Sequence, residues 1–411
     1  MIREIFRRKC LRLWLCKPEY MERTKWENRF VLLRFRKKNY MMFLKDLKRF
    51  KMERLYDKLK AYSESDFYAF HMPGHKRNKA LLGIELPYDL DITEIDGFDD
   101  LHHADGILKE EQERAARVFG AEESHFLVNG STAGILSAVM GCTHRGDKIL
   151  VARHCHKSIY HAIYMNGLVP RYVYPEFDIS MHMNGEISKE DVAKALAAEP
   201  DIKAVVIVSP NYDGVVSDVK GIAEVVHSYG IPLIVDEAHG PHFGFHPAFP
   251  ECANDLGADV VINSLHKTLP SLTQTAILHI NGKLANRRRI KKYLDMLQSS
   301  SPSYIFMASL DACVDFLDGK CEEAFELYVE RLQKFREELE LLQHLQILRT
   351  EHYDISKVVI STANANITSP ELTDRLRKEY HLEMEMTGGT YVLAMTTVAD
   401  TQEGLDRLKA A

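Results

Sequence analysis

Nowhere in these 411 residues does an apolar run approach the ~20 needed to span a bilayer. The first residues show no apolar stretch closed by small residues, so no secretory signal is expected. Cysteine is sparse. There are seven, Cys10, Cys16, Cys142, Cys155, Cys252, Cys313 and Cys321, odd in number and scattered. That argues against a disulfide framework and for a reducing, cytoplasmic setting. No two stand at CxxC spacing, which speaks against a structural zinc site. Internal repeats and low-complexity tracts are also missing. What is present is 45% hydrophobic and 27% charged, an ordinary soluble composition, in a chain long enough for a large core and two domains.

The net charge of -6 is unevenly spread. Residues 1–51 hold 17 Lys and Arg against 5 Asp and Glu, so the remainder is strongly acidic. A basic arm can bind nucleic acid or an anionic membrane. Here Trp14, Trp26, Phe30 and Phe43 interrupt the charges with no sustained period. The expectation is a basic extension that is poorly ordered or precedes a true start at Met52, with no nucleic-acid or membrane partner. A docking helix is the alternative. A mitochondrial-type presequence would be poorer in acids and richer in Ser.

Beyond Met52, strand and helix patterns alternate. Strands are predicted over Ser124–Val128, Lys148–Val151, Pro170–Tyr174, Ala204–Val208, Pro232–Val235, Val260–Asn263 and Thr275–Ile280, with helices between most of them. This pattern predicts an α/β fold on a mainly parallel sheet. A helical stretch over 304–342 leads to a smaller α+β part, with strands at Lys357–Thr362 and Tyr391–Thr396 and a helix at 369–380. The expected domains are the extension 1–51, a cofactor-binding large domain 52–300, and a small C-terminal domain 301–411 that ends at Ala411 in what reads as a helix.

Ligands collect at the carboxyl ends of strands in such sheets. The polar clusters fall there: Asn129–Gly134, His154–Ser158, Ser209–Gly214, Asp236–His239 and Ser264–Leu269. A carboxylate at one strand end and a Ser, a His and a Lys at another suit pyridoxal 5'-phosphate. Asp236 would pair with the pyridine nitrogen and Lys267 would take the aldehyde, as a lysine desolvated enough to be nucleophilic. Asn129–Gly134 alone reads as a helix N-cap. With Ser264 and His266 on the same rim it reads as a phosphate cradle using Ser131 and Thr132. His156 would lie against the cofactor ring and could protonate a carbanion; the plain alternative is an exposed loop histidine. His154 is taken as structural. His239, His242 and His246 share one segment, but Gly240-Pro241 breaks helical spacing. No metal site is expected, and His239 is placed near the cofactor's phenolic oxygen or the substrate.

Taken in order, these residues resemble the Orn/Lys/Arg decarboxylase family of the short bacterial type, which has the aspartate aminotransferase fold, fold type I. The matching stretches are His71-Met72-Pro73-Gly74-His75-Lys76, Thr93-Glu94 with Asp99-Asp100-Leu101, Val128–Thr132, His156-Lys157-Ser158, Pro210–Gly214, Asp236–Gly240, Ser264–Leu269 with Thr273-Gln274, and Pro302-Ser303-Tyr304. The resemblance covers roughly 52–410. It departs at Pro270, where many relatives have a small residue, and at Asn211, where Thr is common.

The resemblance implies a PLP-dependent carboxy-lyase that converts arginine, lysine or ornithine to the polyamine-type amine. Lys267 would hold the cofactor as a Schiff base. Asp236 would face the pyridine nitrogen, His156 would stack on the ring, and Ser131, Thr132, Ser264 and His266 would hold the phosphate. It implies a homodimer or larger homo-oligomer, and that the small domain ending at Ala411 is incomplete. Glu94, Asp99 and Asp100 are candidates for the substrate's basic end. Two rivals share the cofactor: another fold-type-I enzyme (aminotransferase, aldolase or β-lyase), or a non-catalytic PLP-binding protein.

Overall fold

A computed structural model describes residues 53–179, 182–348 and 350–411. The expectations for residues 1–51 therefore lie outside the described residues. After α1 (Leu55–Ser63) and α2 (Ile107–Val118), the chain lays down β1 (Glu123–Leu127), α3 (Gly130–Cys142), β2 (Lys148–Ala152), α4 (Lys157–Asn166) and β3 (Val169–Val173). A short hairpin, β4 (Phe177–Asp178) and β5 (Met183–Asn184), precedes α5 (Lys189–Ala198), β6 (Ile202–Val208), α6 (Val219–Ser228) and β7 (Leu233–Asp236). Then come β8 (Val260–Asn263), the one-turn α7 (Leu265–Thr268), β9 (Ala276–Ile280) and α8 (Arg287–Leu297).

The seven-stranded sheet runs β1-β9-β8-β7-β6-β2-β3. Its central strands are apolar at nearly every position because both faces are covered, as a mainly parallel sheet requires. Alternate residues take opposite faces. Ile149, Val206, Ile234 and Ile262 join one core with Ile135 and Val139 of α3 and Ile290 of α8. Leu150, Val205, Val235 and Val261 join the other with Val192 of α5 and Ile222 of α6. A one-residue slip would exchange both sets, so the register is strongly specified. Gly141 lets α3 and α8 meet closely, since a Cβ there would stand 2.8 Å from the Ile290 Cα.

The chain continues through α9 (Tyr304–Leu317) and α10 (Glu322–Leu339) into β10 (Gln346–Ile347), β11 (Lys357–Ser361), α11 (Ser369–Tyr380), β12 (Met386–Thr387), β13 (Tyr391–Met395) and α12 (Gln402–Ala410). The four strands form an antiparallel sheet, β10-β11-β13-β12. Thr368 and Glu371 close a capping box at the start of α11. The sequence pattern missed the two-residue strands, whose pairing is set by neighbours and not by their own periodicity.

One topological feature positions the site. β9 runs antiparallel to both β1 and β8. β1 therefore points the same way as β8, β7, β6 and β2, and all five carboxyl ends share a rim. Because β9 is reversed, its first residues reach that same rim, bringing Gln274 and Thr275 beside the ends of β1 and β8.

Candidate active site

Asp236 closes β7 and is buried. Its Oδ1 accepts from the Ala238 N–H at 3.2 Å. Burial pushes its carboxyl up to about 6, and the Lys267 charge only partly opposes this. A buried carboxylate in that state calls for a cation against it.

Lys267 stands on α7, just past the end of β8. Burial pulls its ammonium down from the ordinary lysine range, against the pull of Asp236 and Glu385. Its Nζ lies 2.8 Å from His239 Nε2. His239 is buried, packs against Tyr212 with ring centroids 4.7 Å apart, and is held neutral by desolvation and by the flanking lysines Lys357 and Lys267.

His156 begins α4 as an exposed N-cap whose Nδ1 accepts from the Ser158 N–H at 3.3 Å and meets Ser158 Oγ at 2.8 Å. With Nδ1 an acceptor, the ring proton sits on Nε2. Burial, and then the Lys267 charge, lower its pKa, which places the two groups in one electrostatic neighbourhood.

The cradle is built from two loops. Gly130 opens α3 at φ 72°, and a Cβ on it would stand 3.8 Å from the Gln274 carbonyl. Gln274 in turn donates from Nε2 to the Val128 carbonyl at 2.6 Å. The 128–132 and 264–275 segments are therefore neighbours, with Ser131 and Thr132 on the first turn of α3. Ser264 is fully buried, and its Oγ has no hydrogen-bond partner among the described residues. A buried hydroxyl is rarely left so. His266 Nδ1 donates to the Thr275 carbonyl at 2.8 Å. Its Nε2 can then donate to an anion only when the ring is protonated.

These residues fit pyridoxal phosphate. An orphaned hydroxyl and a helix N-terminus stand ready for phosphate, a buried carboxylate for the pyridine nitrogen, and a desolvated lysine for the aldehyde. His239, His242 and His246 do not converge. His242 bonds Thr268 Oγ1 at 2.9 Å and Asp354 Oδ1 at 3.1 Å, and His246 bonds Glu326 at 3.0 Å. His154 is half-buried, with burial pulling it down to about 4.

Two acidic candidates for the substrate's basic end are committed elsewhere. Asp99 accepts from the backbone N–H groups of Asp100, Asp105, Gly106 and Leu108, and so organises the approach to α2. Asp100 accepts from the His102 N–H and pairs with His103. Tyr304 holds this loop from below, its hydroxyl donating to the Asp99 carbonyl at 2.6 Å. Asn211 accepts from three successive N–H groups of its own turn, a structural task.

The sequence reading missed Lys357 and Glu385. Lys357 opens β11, is fully buried, and brings its Nζ within 3.3 Å of His239 Nδ1. Its signal was a lysine heading the apolar run Val358-Val359-Ile360. Glu385 is exposed, meets the Tyr212 hydroxyl, and its charge acts on both Lys267 and Lys357. Nothing in its local sequence marks it, because the small sheet brings it to the site from over a hundred residues away.

The chain is similar to known proteins. The profile of the Orn/Lys/Arg decarboxylase major domain matches residues 53–371. An arginine decarboxylase of Bacillus subtilis is 34% identical over 372 residues, covering 87% of this chain and 76% of that protein. A lysine decarboxylase of Pseudomonas aeruginosa is 28% identical over 287 residues, 61% of this chain and 38% of that one. Among solved structures, a lysine decarboxylase of Francisella novicida superposes with a TM-score of 0.76 at 19% identity over 91% of this chain. The chain spans 61% of the length of that structure. An alanine–glyoxylate aminotransferase from Nostoc (TM-score 0.60, 15% identity, 74% of this chain and 85% of that one) shares the fold alone.

Proposed function

This chain belongs to the Orn/Lys/Arg decarboxylase family, and on that premise we propose that it releases the α-carboxylate of arginine as CO2, leaving the polyamine-type amine. The observation behind this reading is the convergence of buried Asp236, desolvated Lys267 and neutral His239 on one rim. Arginine is preferred over lysine and ornithine because the relatives named arginine decarboxylase match across 87% of the chain, against 61% for the Pseudomonas lysine enzyme.

Pyridoxal phosphate supplies an electron sink for the pair left on Cα when the carboxylate departs. The chain's residues do the rest. Asp236 holds the positive end of that sink. Ser131, Thr132, Ser264 and His266 anchor the phosphate end. His156 offers a ring face, and as an imidazolium whose Nδ1–H donates to Ser158 Oγ it would carry an Nε2–H able to return a proton to Cα. Glu385, an exposed carboxylate felt by both lysines, is the acid for the substrate's cationic end. A guanidinium can engage such a carboxylate through two parallel N–H donors.

The same reading extends to assembly and setting. Phe67, Phe70, Leu81 and Leu82 are exposed within a single stretch, a surface suited to a second copy of the chain in a homodimer. The five described cysteines are free thiols, which agrees with a cytoplasmic protein. No described helix is long and apolar enough to cross a membrane.

The test is CO2 release from arginine, lysine and ornithine by the PLP-loaded protein, with product identification. Release from arginine above the others is expected. Bound cofactor with no CO2 from any of the three would sink the decarboxylase reading, and keto acid products would reassign it to an aminotransferase. Glu385→Gln is expected to raise KM for arginine about tenfold, roughly 1.4 kcal/mol of lost binding, with kcat within about twofold. An unchanged KM would remove Glu385 from substrate recognition.

A further inference from the structure

Two lysines flank one imidazole. Lys267 Nζ lies 2.8 Å from His239 Nε2, and Lys357 Nζ lies 3.3 Å from His239 Nδ1. Lys267 comes from the large sheet's rim and Lys357 from the first residue of β11 in the small sheet. Lys357 and His239 are buried, and Lys267 is partly buried at the rim. Tyr212 covers the imidazole, and Gly214 sits so near the Lys357 stem that a Cβ there would stand 2.7 Å from Lys357 Cγ.

A neutral imidazole has one N–H and one lone pair. Two ammonium groups cannot both donate to it. His239 is neutral, since burial and the neighbouring Lys357, Lys267, His156 and His266 all disfavour its charged form. One of the two lysines must therefore meet the imidazole N–H with its own lone pair, as a free amine.

We infer that Lys357 is a positioning residue that stores the proton Lys267 has to lose, with His239 as the relay between them. In one state Lys267 is the ammonium, donating to Nε2, and Nδ1–H donates to the neutral Lys357 amine. Transfer moves one proton from Lys267 to Nε2 and one from Nδ1 to Lys357. The imidazole changes tautomer, the total charge stays the same, and Lys267 becomes a nucleophile without exchanging a proton with bulk water. Geometry sets the path, and the surroundings make it workable. Burial draws Lys357 down to about 8, moderated by the carboxylates of Asp354, Glu385 and Asp213, while Lys267 opposes its charge further. An ordinary lysine, near 10.4, would hold its proton too tightly to share it at neutral pH.

The inference rests on the cofactor reading for its purpose, but its test uses neither cofactor nor substrate, so a failure of the decarboxylase proposal leaves it intact. Lys267 in cofactor-free protein is labelled with trace acetic anhydride across pH, and its peptide is read by mass spectrometry. Only the neutral amine reacts. Lys357→Met removes the proton store at nearly the same volume and is expected to raise the Lys267 midpoint by about one unit, a roughly tenfold loss of labelling near neutral pH. Lys357→Arg keeps the charge and a donor to Nδ1 but cannot take up a proton. It fixes Nε2–H toward Lys267, so the midpoint is expected to stay at or below that of the wild type. A packing role would move both variants alike or neither, and either result overturns the inference. Should the variants not fold, nitrogen-15 spectra of lysine-labelled wild-type protein decide. One of the two amines neutral by about pH 8 supports the relay, and both remaining ammonium to about pH 10 overturns it.

Discussion

Lys267→Ala is expected to lower turnover by at least about a thousandfold while the protein still folds and still takes up pyridoxal phosphate. Folding should survive because α7 keeps its turn and Leu265, the apolar anchor of that turn, is untouched. Cofactor uptake should survive because the groups proposed to hold the phosphate end, the first turn of α3, Ser264 and His266, do not include Lys267. What disappears is the amine proposed to meet the aldehyde. The cofactor's absorbance should then lose its dependence on the protein and resemble that of the free aldehyde. Added methylamine, small enough for the space the side chain leaves, should restore part of the activity. Activity within about tenfold of wild type would show that another amine does this work. The obvious candidate would be Lys357, the one other lysine in contact with His239 among the described residues.

How much of this was legible beforehand follows from the range of the interactions involved. The strands of the large sheet declare themselves because both faces are buried, so apolar residues run almost without a break, as in Ile202–Val208. The rim clusters are local as well. Asp236 ends β7 and Ser264 follows β8, and a polar residue at the end of an apolar run is visible in any reading. Position along the chain cannot show which carboxylate is available. Asp99 looked suited to a basic substrate, yet four backbone N–H groups occupy it. Glu385 carries no mark in its local sequence, and it is the pairing of β12 with β13 and the Tyr212 hydroxyl that place it where both lysines feel it. Lys357 shows the same limit from inside. A charged residue at the head of β11 reads as a strand boundary until the small sheet is seen to set it behind His239. Site residues on one strand end are local facts, and those contributed by a second sheet are tertiary ones.

Asp236→Asn should abolish most activity and, in cofactor-free protein, increase stability. The two effects have one cause. The folded-state pKa of Asp236 is raised to about 6, chiefly by burial. The unfolded chain has the ordinary carboxyl value near 3.9. Between those values the folded protein keeps a proton that the unfolded chain has lost, so wild-type stability falls as pH rises from about 4 to about 6 and stays lower above it. The loss is on the order of 3 kcal/mol at about 1.4 kcal/mol per unit. Asn has no such titration. Chemical denaturation without cofactor should therefore find the variant and wild type alike near pH 4, and the variant more stable by about that amount near pH 7. Cofactor should reverse the order at neutral pH, because a protonated pyridine nitrogen gives the wild-type carboxylate the cation its burial demands, and the amide offers that nitrogen no counter-charge. Turnover in the variant should fall by a factor of roughly a hundred to ten thousand, since an unprotonated ring is a poor acceptor for the electrons left on Cα. Equal stability of the two proteins at pH 7 without cofactor would show that Asp236 is already neutralised by Lys267, and the pairing with the pyridine nitrogen would lose its physical basis.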